Sequence, residues 1–175
     1  MQEMNPNHDY FENVRASSNS PGNSFVAYGQ NDGTLYIVHR NSNTIIEKKE
    51  HFHNVLFLKL PQAIRHISWS PEGKYIAVLG NLLDLKLDEY HTDLYLYNLD
   101  TGLLGTNLNL QWSLSSSELM SEEFKLTGFY PDKIHWDTNS GKIELVVEAK
   151  TDINDDNSKI KEVEIDINSG KVNIL

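Results

Sequence analysis

Ile64-Arg-His-Ile-Ser-Trp-Ser-Pro-Glu-Gly-Lys-Tyr-Ile-Ala-Val-Leu-Gly80 reads as one complete antiparallel hairpin, and its imperfect recurrence on both sides fixes the architecture of the chain. Ile67 and Trp69 alternate with His66, Ser68 and Ser70, the period of a half-buried strand whose successive side chains point to opposite faces. Ser70 to Gly73 break the run: Pro71 presets φ for the first central position of a tight turn, and Gly73 can take the left-handed conformation that ends it. Tyr75 to Leu79 then resume the β-branched and aromatic residues of a second strand. A third strand, Asp93-Leu-Tyr-Leu-Tyr-Asn98, follows a polar interval and ends in the turn signal Leu99-Asp-Thr-Gly102. The unit is a meander of about four strands.

The unit repeats. Ser20-Pro-Gly-Asn-Ser-Phe-Val-Ala-Tyr-Gly29 matches Ser70 to Gly80 with a one-residue gap, and Leu35-Tyr-Ile-Val38 takes the place of Leu94-Tyr-Leu-Tyr97. Further on, Lys133-Ile-His-Trp-Asp-Thr-Asn-Ser-Gly-Lys-Ile-Glu-Leu-Val-Val147 keeps a tryptophan, a glycine-containing turn and a second strand in the same order, with Trp136 standing where Trp69 stood. Asp166-Ile-Asn-Ser-Gly170 echoes Asn98 to Gly102. Internal repetition of this kind outranks any local reading. The expectation is an all-β domain over residues 1–175, with antiparallel four-stranded meander repeats at approximately 10–60, 61–110 and 131–175 and an insertion at 111–130.

Ile-Ser-Trp-Ser-Pro-Glu-Gly-Lys-Tyr-Ile-Ala-Val resembles the blade signature of β-propellers of the TolB-like and WD-repeat type. The resemblance implies a propeller-like chain of about three blades and says little of activity, because propellers host binding scaffolds, hydrolases and lyases alike. Propellers typically use about 4 to 8 blades. Three blades therefore suggest an open arc, a ring completed by a second copy or another protein, or part of a longer product.

Ser115-Ser-Ser-Glu-Leu-Met-Ser-Glu-Glu-Phe124 is the one segment that argues for a short helix: Ser115 and Glu118 form a capping box, and Leu119, Met120 and Phe124 fall at helical spacing. Residues 81–92 read as a second insertion, a loop before the third strand of the second repeat. Loops on a rigid scaffold often carry binding. That makes Trp112, Leu119, Met120 and Phe124, with Tyr90 and His91, the candidate interaction residues. Trp69 and Trp136, at equivalent positions, read as packing between repeats.

Composition narrows the partners. The chain of 175 residues carries 25 acidic and 15 basic side chains, a formal net charge of −10, and no basic stripe of the kind phosphate recognition needs. Nucleic acid is not expected as a partner. The absence of cysteine excludes disulfides, thiolate zinc sites and cysteine nucleophiles. The N-terminus Met1-Gln-Glu-Met-Asn-Pro is polar, and no apolar run approaches the ~20 residues of a spanning helix. A cytoplasmic location follows at face value, and a matured periplasmic chain with an added methionine is the alternative.

Candidate chemistry is sparse. Asp152, Asn154 and Asp156 alternate as in the first half of a calcium loop, but Asn157 stands where glycine belongs and Val163 where the closing glutamate belongs. His51 and His53 share one face of an extended segment, a spacing that suits zinc or copper if companions such as Glu47, Glu50 or His66 approach. His66 and His135 precede their tryptophans on strands that would line the channel of a propeller. Neither Gly-x-Ser-x-Gly nor a phosphate-cradling loop occurs, and the adjacent carboxylate pairs are not placed for glycosidase chemistry. The reading is a non-enzymatic protein-interaction or scaffold module without cofactor, acting on a protein partner or by self-association. The rivals are a propeller-type hydrolase or lyase with a channel-facing metal site, and an acidic inhibitor or immunity-type protein masking a basic partner.

Overall fold

The computed structural model describes residues 13–39, 53–84, 89–101, 107–115, 125–129, 134–137, 139–150 and 159–175. They form three antiparallel sheets taken in chain order. The first contains β1 (Val14–Asn19), β2 (Phe25–Gln30), β3 (Thr34–His39) and β4 (His53–Lys59). The second contains β5 (Ala63–Trp69), β6 (Tyr75–Asp84), β7 (Glu89–Asp100) and β8 (Asn107–Ser115). The third runs β10 (His135–Asp137), β11 (Lys142–Lys150), β12 (Lys159–Asp166) and β13 (Val172–Ile174), with β9 (Lys125–Phe129) also paired to β11. The all-β meander of three blades expected from the sequence is the fold observed.

The repeated Ser-Pro turns match atom for atom. Ser20 and Ser70 donate their amides to Phe25 O and Tyr75 O, each at 2.9 Å, while their hydroxyl oxygens accept the Phe25 and Tyr75 amides at 2.9 and 3.0 Å. The left-handed position falls on Gly73 at φ 72° in the second turn and on Gly22 and Asn23 in the first, where Pro21–Asn23 make a short 3-10 turn. Each serine thereby closes a hairpin with both backbone groups and its side chain, which is why the motif recurs where a strand must reverse at once.

The core lies between the sheets. Ala27, Leu35 and Ile37 of the first pack against Ile76, Val78 and Tyr97 of the second. Ala77, Leu79 and Leu96 of the second pack against Ile143, Val163 and Ile165 of the third. Successive residues 76 to 79 thus enter the two cores alternately, so β6 is buried on both faces and reads as an unbroken apolar run. Gly29 belongs to the first interface: a Cβ there would overlap the Ile64 side chain of the neighbouring blade. Val26, Tyr36 and Val38, on the opposite face of the first sheet, are buried as well.

Four sequence expectations change. Residues 81–84 and 89–92 are not a loop: β6 and β7 continue in register through Leu82 with His91, Leu83 with Tyr90 and Asp84 with Glu89, so Tyr90 and His91 lie in a strand. Trp112 lies in β8, not in an insertion, because β8 pairs along the second edge of β7, from Asp93 with Ser115 to Asp100 with Asn107. Ser115, expected to cap a helix, is the last residue of that strand. The third sheet starts at Lys125, since β11 is nine residues long against three in β10 and β9 pairs along its remaining edge. Residues 116–124, with Leu119, Met120 and Phe124, lie outside the described residues.

Candidate interaction surface

The tryptophans join blade to blade. Trp69, ending β5, donates its indole N–H to Ser18 O of β1 at 3.1 Å, and Trp136 in β10 donates to Ser68 Oγ of β5 at 2.9 Å. Ser18 and Ser68 occupy the same place in their repeats, two residues before the proline-turn serine plus proline pair begins at Ser20 and Ser70. Each first strand therefore holds the first strand of the preceding blade through one indole. Phe25 adds to the first junction, with its ring 6.4 Å from that of Trp69.

Trp112 makes a third clasp, at the outer strands. Its indole N–H donates to Ile167 O at 2.7 Å, and its ring lies on Gly170, whose φ is 69° and whose added Cβ would come within 2.9 Å of Trp112 Cγ. Gln111 Nε2 donates to Asn168 O beside it at 3.3 Å. The half-buried Trp112 thus seats the fourth strand of blade two on the Asp166–Gly170 turn of blade three. Leu110, 54% exposed, is the outward apolar side chain of the same strand.

Beyond Asn81 the β6–β7 hairpin outruns its neighbours. The β5 ladder stops at Ala63 opposite Asn81, and the β8 ladder stops at Ser115 opposite Asp93. Residues 82–84 and 89–92 form a two-stranded ribbon whose ladder, among the described residues, no third strand joins. Its base is fixed: Gln62, in the turn joining blades one and two, donates its amide N–H to Asp93 Oδ2, and the Tyr95 hydroxyl lies 3.4 Å from the same oxygen. Gln62 Oε1 and Asp93 Oδ1 are buried without a hydrogen-bond partner among the described residues. Burial and the adjacent Asp93 carboxylate push Tyr95 up to about 12, and burial does the same to Tyr97. Both remain neutral hydroxyls at physiological pH.

The other candidates disperse. His53 is opposite His39 in the β3–β4 ladder, a partner the sequence reading did not name, and the His39 ring sits edge-on to Phe25 at 5.0 Å. His51, Asp152, Asn154 and Asp156 lie outside the described residues. His66 is half-buried and His135 exposed on their separate first strands. Among the described residues no three His, Asp or Glu side chains group as a metal site. No helix among them is long and apolar enough to cross a membrane.

No family model matches the sequence, and no curated protein matches it. Among solved structures the chain is similar to the β-propeller domain of Cps50 (Swd1) from Myceliophteria thermophila, with a TM-score of 0.57 at 8% identity over 93% of this chain. The chain spans about 40% of the length of that domain. Sqt1 from Saccharomyces cerevisiae aligns over 94% of this chain and 47% of its own at 12% identity, with a TM-score of 0.37. The first likeness confirms propeller-like blades.

Proposed function

We propose that this protein is a non-enzymatic protein-interaction module, a three-blade arc that presents the β6–β7 ribbon to a protein partner. The observation that carries the reading is the ribbon itself: residues 82–84 and 89–92 extend past both flanking strands from a base clasped by Gln62 and Asp93. A ribbon whose ladder runs past both flanking strands offers main-chain hydrogen bonds to an extended segment, and the stack beneath it lowers the entropy lost on docking. Tyr90 and His91 belong to this element. The finer likeness to the TolB-like type rests on the Ser-Pro-Glu-Gly turn of blade two.

The test replaces residues 82–91 by Asn-Gly, so that Asn81 and Thr92 flank a two-residue hairpin turn. The shortened chain should melt with the wild type and lose the protein that the wild type retains in affinity capture from its native source. Retention of the same protein in the same amount by both chains refutes the reading.

A further inference from the structure

The three sheets share one register, so equivalent residues can be matched across them. Trp69 stands opposite Ile76 and Trp136 opposite Ile143, while Ser18, Ser68 and His135 stand opposite Ala27, Ala77 and Glu144. On the next strand these three face Ile37, Leu96 and Glu164. The side of each blade that meets its successor therefore carries Ala27 with Ile37 in blade one and Ala77 with Leu96 in blade two, all at most 1% exposed. In blade three the same two positions are Glu144 and Glu164.

The described side chains of the outward face follow suit. Ile143, Val163 and Ile165 are fully buried toward blade two, so by the alternation of a strand Lys142, Glu144, Glu162, Glu164 and Asp166 point the other way. Lys142 Nζ meets Glu164 Oε1 at 2.6 Å, and among the described side chains of β11 and β12 it is the one cation beside four carboxylates. Stacking another sheet there would strip water from all of them with little opposite charge to replace it.

We propose that blade three is the terminal blade: its outward face is a charged cap that ends the stack, so that neither a further blade nor a second copy of this chain packs on it as blade two packs on blade one. Repeat arrays need such polar ends to stay soluble. The cap also confines partner docking to other surfaces, whether or not the ribbon is the one used.

Two variants test it, read by light scattering behind a sizing column over a range of concentrations. Glu144→Ala with Glu164→Leu recreates the Ala77 and Leu96 pair on the outward face, and should raise the mass about twofold as the concentration increases, two copies meeting face to face. Glu162→Lys, at an exposed position, tolerates folding and should leave the wild-type mass unchanged. The proposal is overturned if the folded apolar pair keeps the wild-type mass at every concentration, or if Glu162→Lys dissolves an assembly that the wild type forms.

Discussion

Trp136 donates its indole N–H to Ser68 Oγ at 2.9 Å across the boundary between blades two and three, joining residues 68 positions apart in the chain. The bond belongs to a series, since Trp69 reaches Ser18 O in the same manner one blade earlier. Trp136→Phe keeps most of the ring and deletes the donor, and Ser68→Ala deletes the acceptor. Each should cost about 1 kcal/mol, and the double variant should cost less than their sum by about 0.5 kcal/mol or more. Urea unfolding of the four proteins checks this; strict additivity would mean that the bond contributes nothing.

Trp112 and Gly170 form the second coupled pair. Removing the half-buried indole should cost about 2 to 4 kcal/mol, near the lower part of the range for core aromatics. Gly170→Ala adds a Cβ against the indole at a backbone angle that favours glycine, so it should also destabilise. In Trp112→Ala the steric part of that penalty is gone. Thermal unfolding should therefore show the glycine substitution to be milder in the truncated background than in the wild type.

Asp32 gives a pH signature. Burial alone would raise its pKa, but the Lys59 ammonium at 2.6 Å and the Thr34 amide at 2.9 Å outweigh it and hold the carboxyl at about 2 against an ordinary 3.8. A folded pKa below the unfolded one means stability that is present above about 4 and lost as pH falls toward 2. Asp32 and Lys59 are 60% and 55% exposed, so solvent screening keeps the contribution below about 1 kcal/mol. Asp32→Asn should unfold less steeply between pH 4 and 2 in denaturant titrations. A residual slope remains from Asp137 and Asp166, whose carboxyls the Ser140 and Ser169 hydroxyls hold low.

Tyr97 gives the opposite signature. Burial pushes it up to about 12, above the 10.0 of an exposed phenol, so its contribution is intact below pH 10 and is lost as pH rises toward 12. Tyr97→Phe removes the ionisation and should flatten the alkaline limb of a stability profile measured by urea midpoint. An unchanged limb would assign that loss to other groups.

The sequence disclosed the blades where local chemistry was sufficient. Ser20-Pro21 and Ser70-Pro71 announce their hairpins because the turn is closed by residues at most five apart. The ribbon stayed hidden because Leu82-Leu-Asp-Leu-Lys-Leu-Asp88 has neither β-branched residues nor a Gly or Pro at its tip, so nothing local distinguishes it from a loop. Trp112 was visible as a tryptophan but not as a clasp, since the carbonyl it binds is 55 residues away. Of the candidate surface, Tyr90 and His91 were marked by position alone, and the structure moves them from loop to strand. The Gln62 to Asp93 contact at the ribbon base left no trace in the sequence, because a glutamine after a proline and an aspartate opening a strand are ordinary until the turn between two blades brings them together.

The neighbouring serines Ser68 and Ser70 separate the two levels of organisation. Ser70 is fully buried and its hydroxyl oxygen accepts the Tyr75 amide at 3.0 Å, a bond inside one hairpin. Ser68 works between blades through Trp136. Ser70→Ala leaves a backbone amide without its acceptor and should cost about 1 to 3 kcal/mol. It should also speed hydrogen exchange at the Tyr75 amide, because the hairpin end is loosened locally as well as globally. Ser68→Ala should change that amide only in proportion to the loss of global stability. Equal local acceleration in both variants would show that the hairpin has no stability of its own and that the Ser-Pro turn is held by stacking between blades.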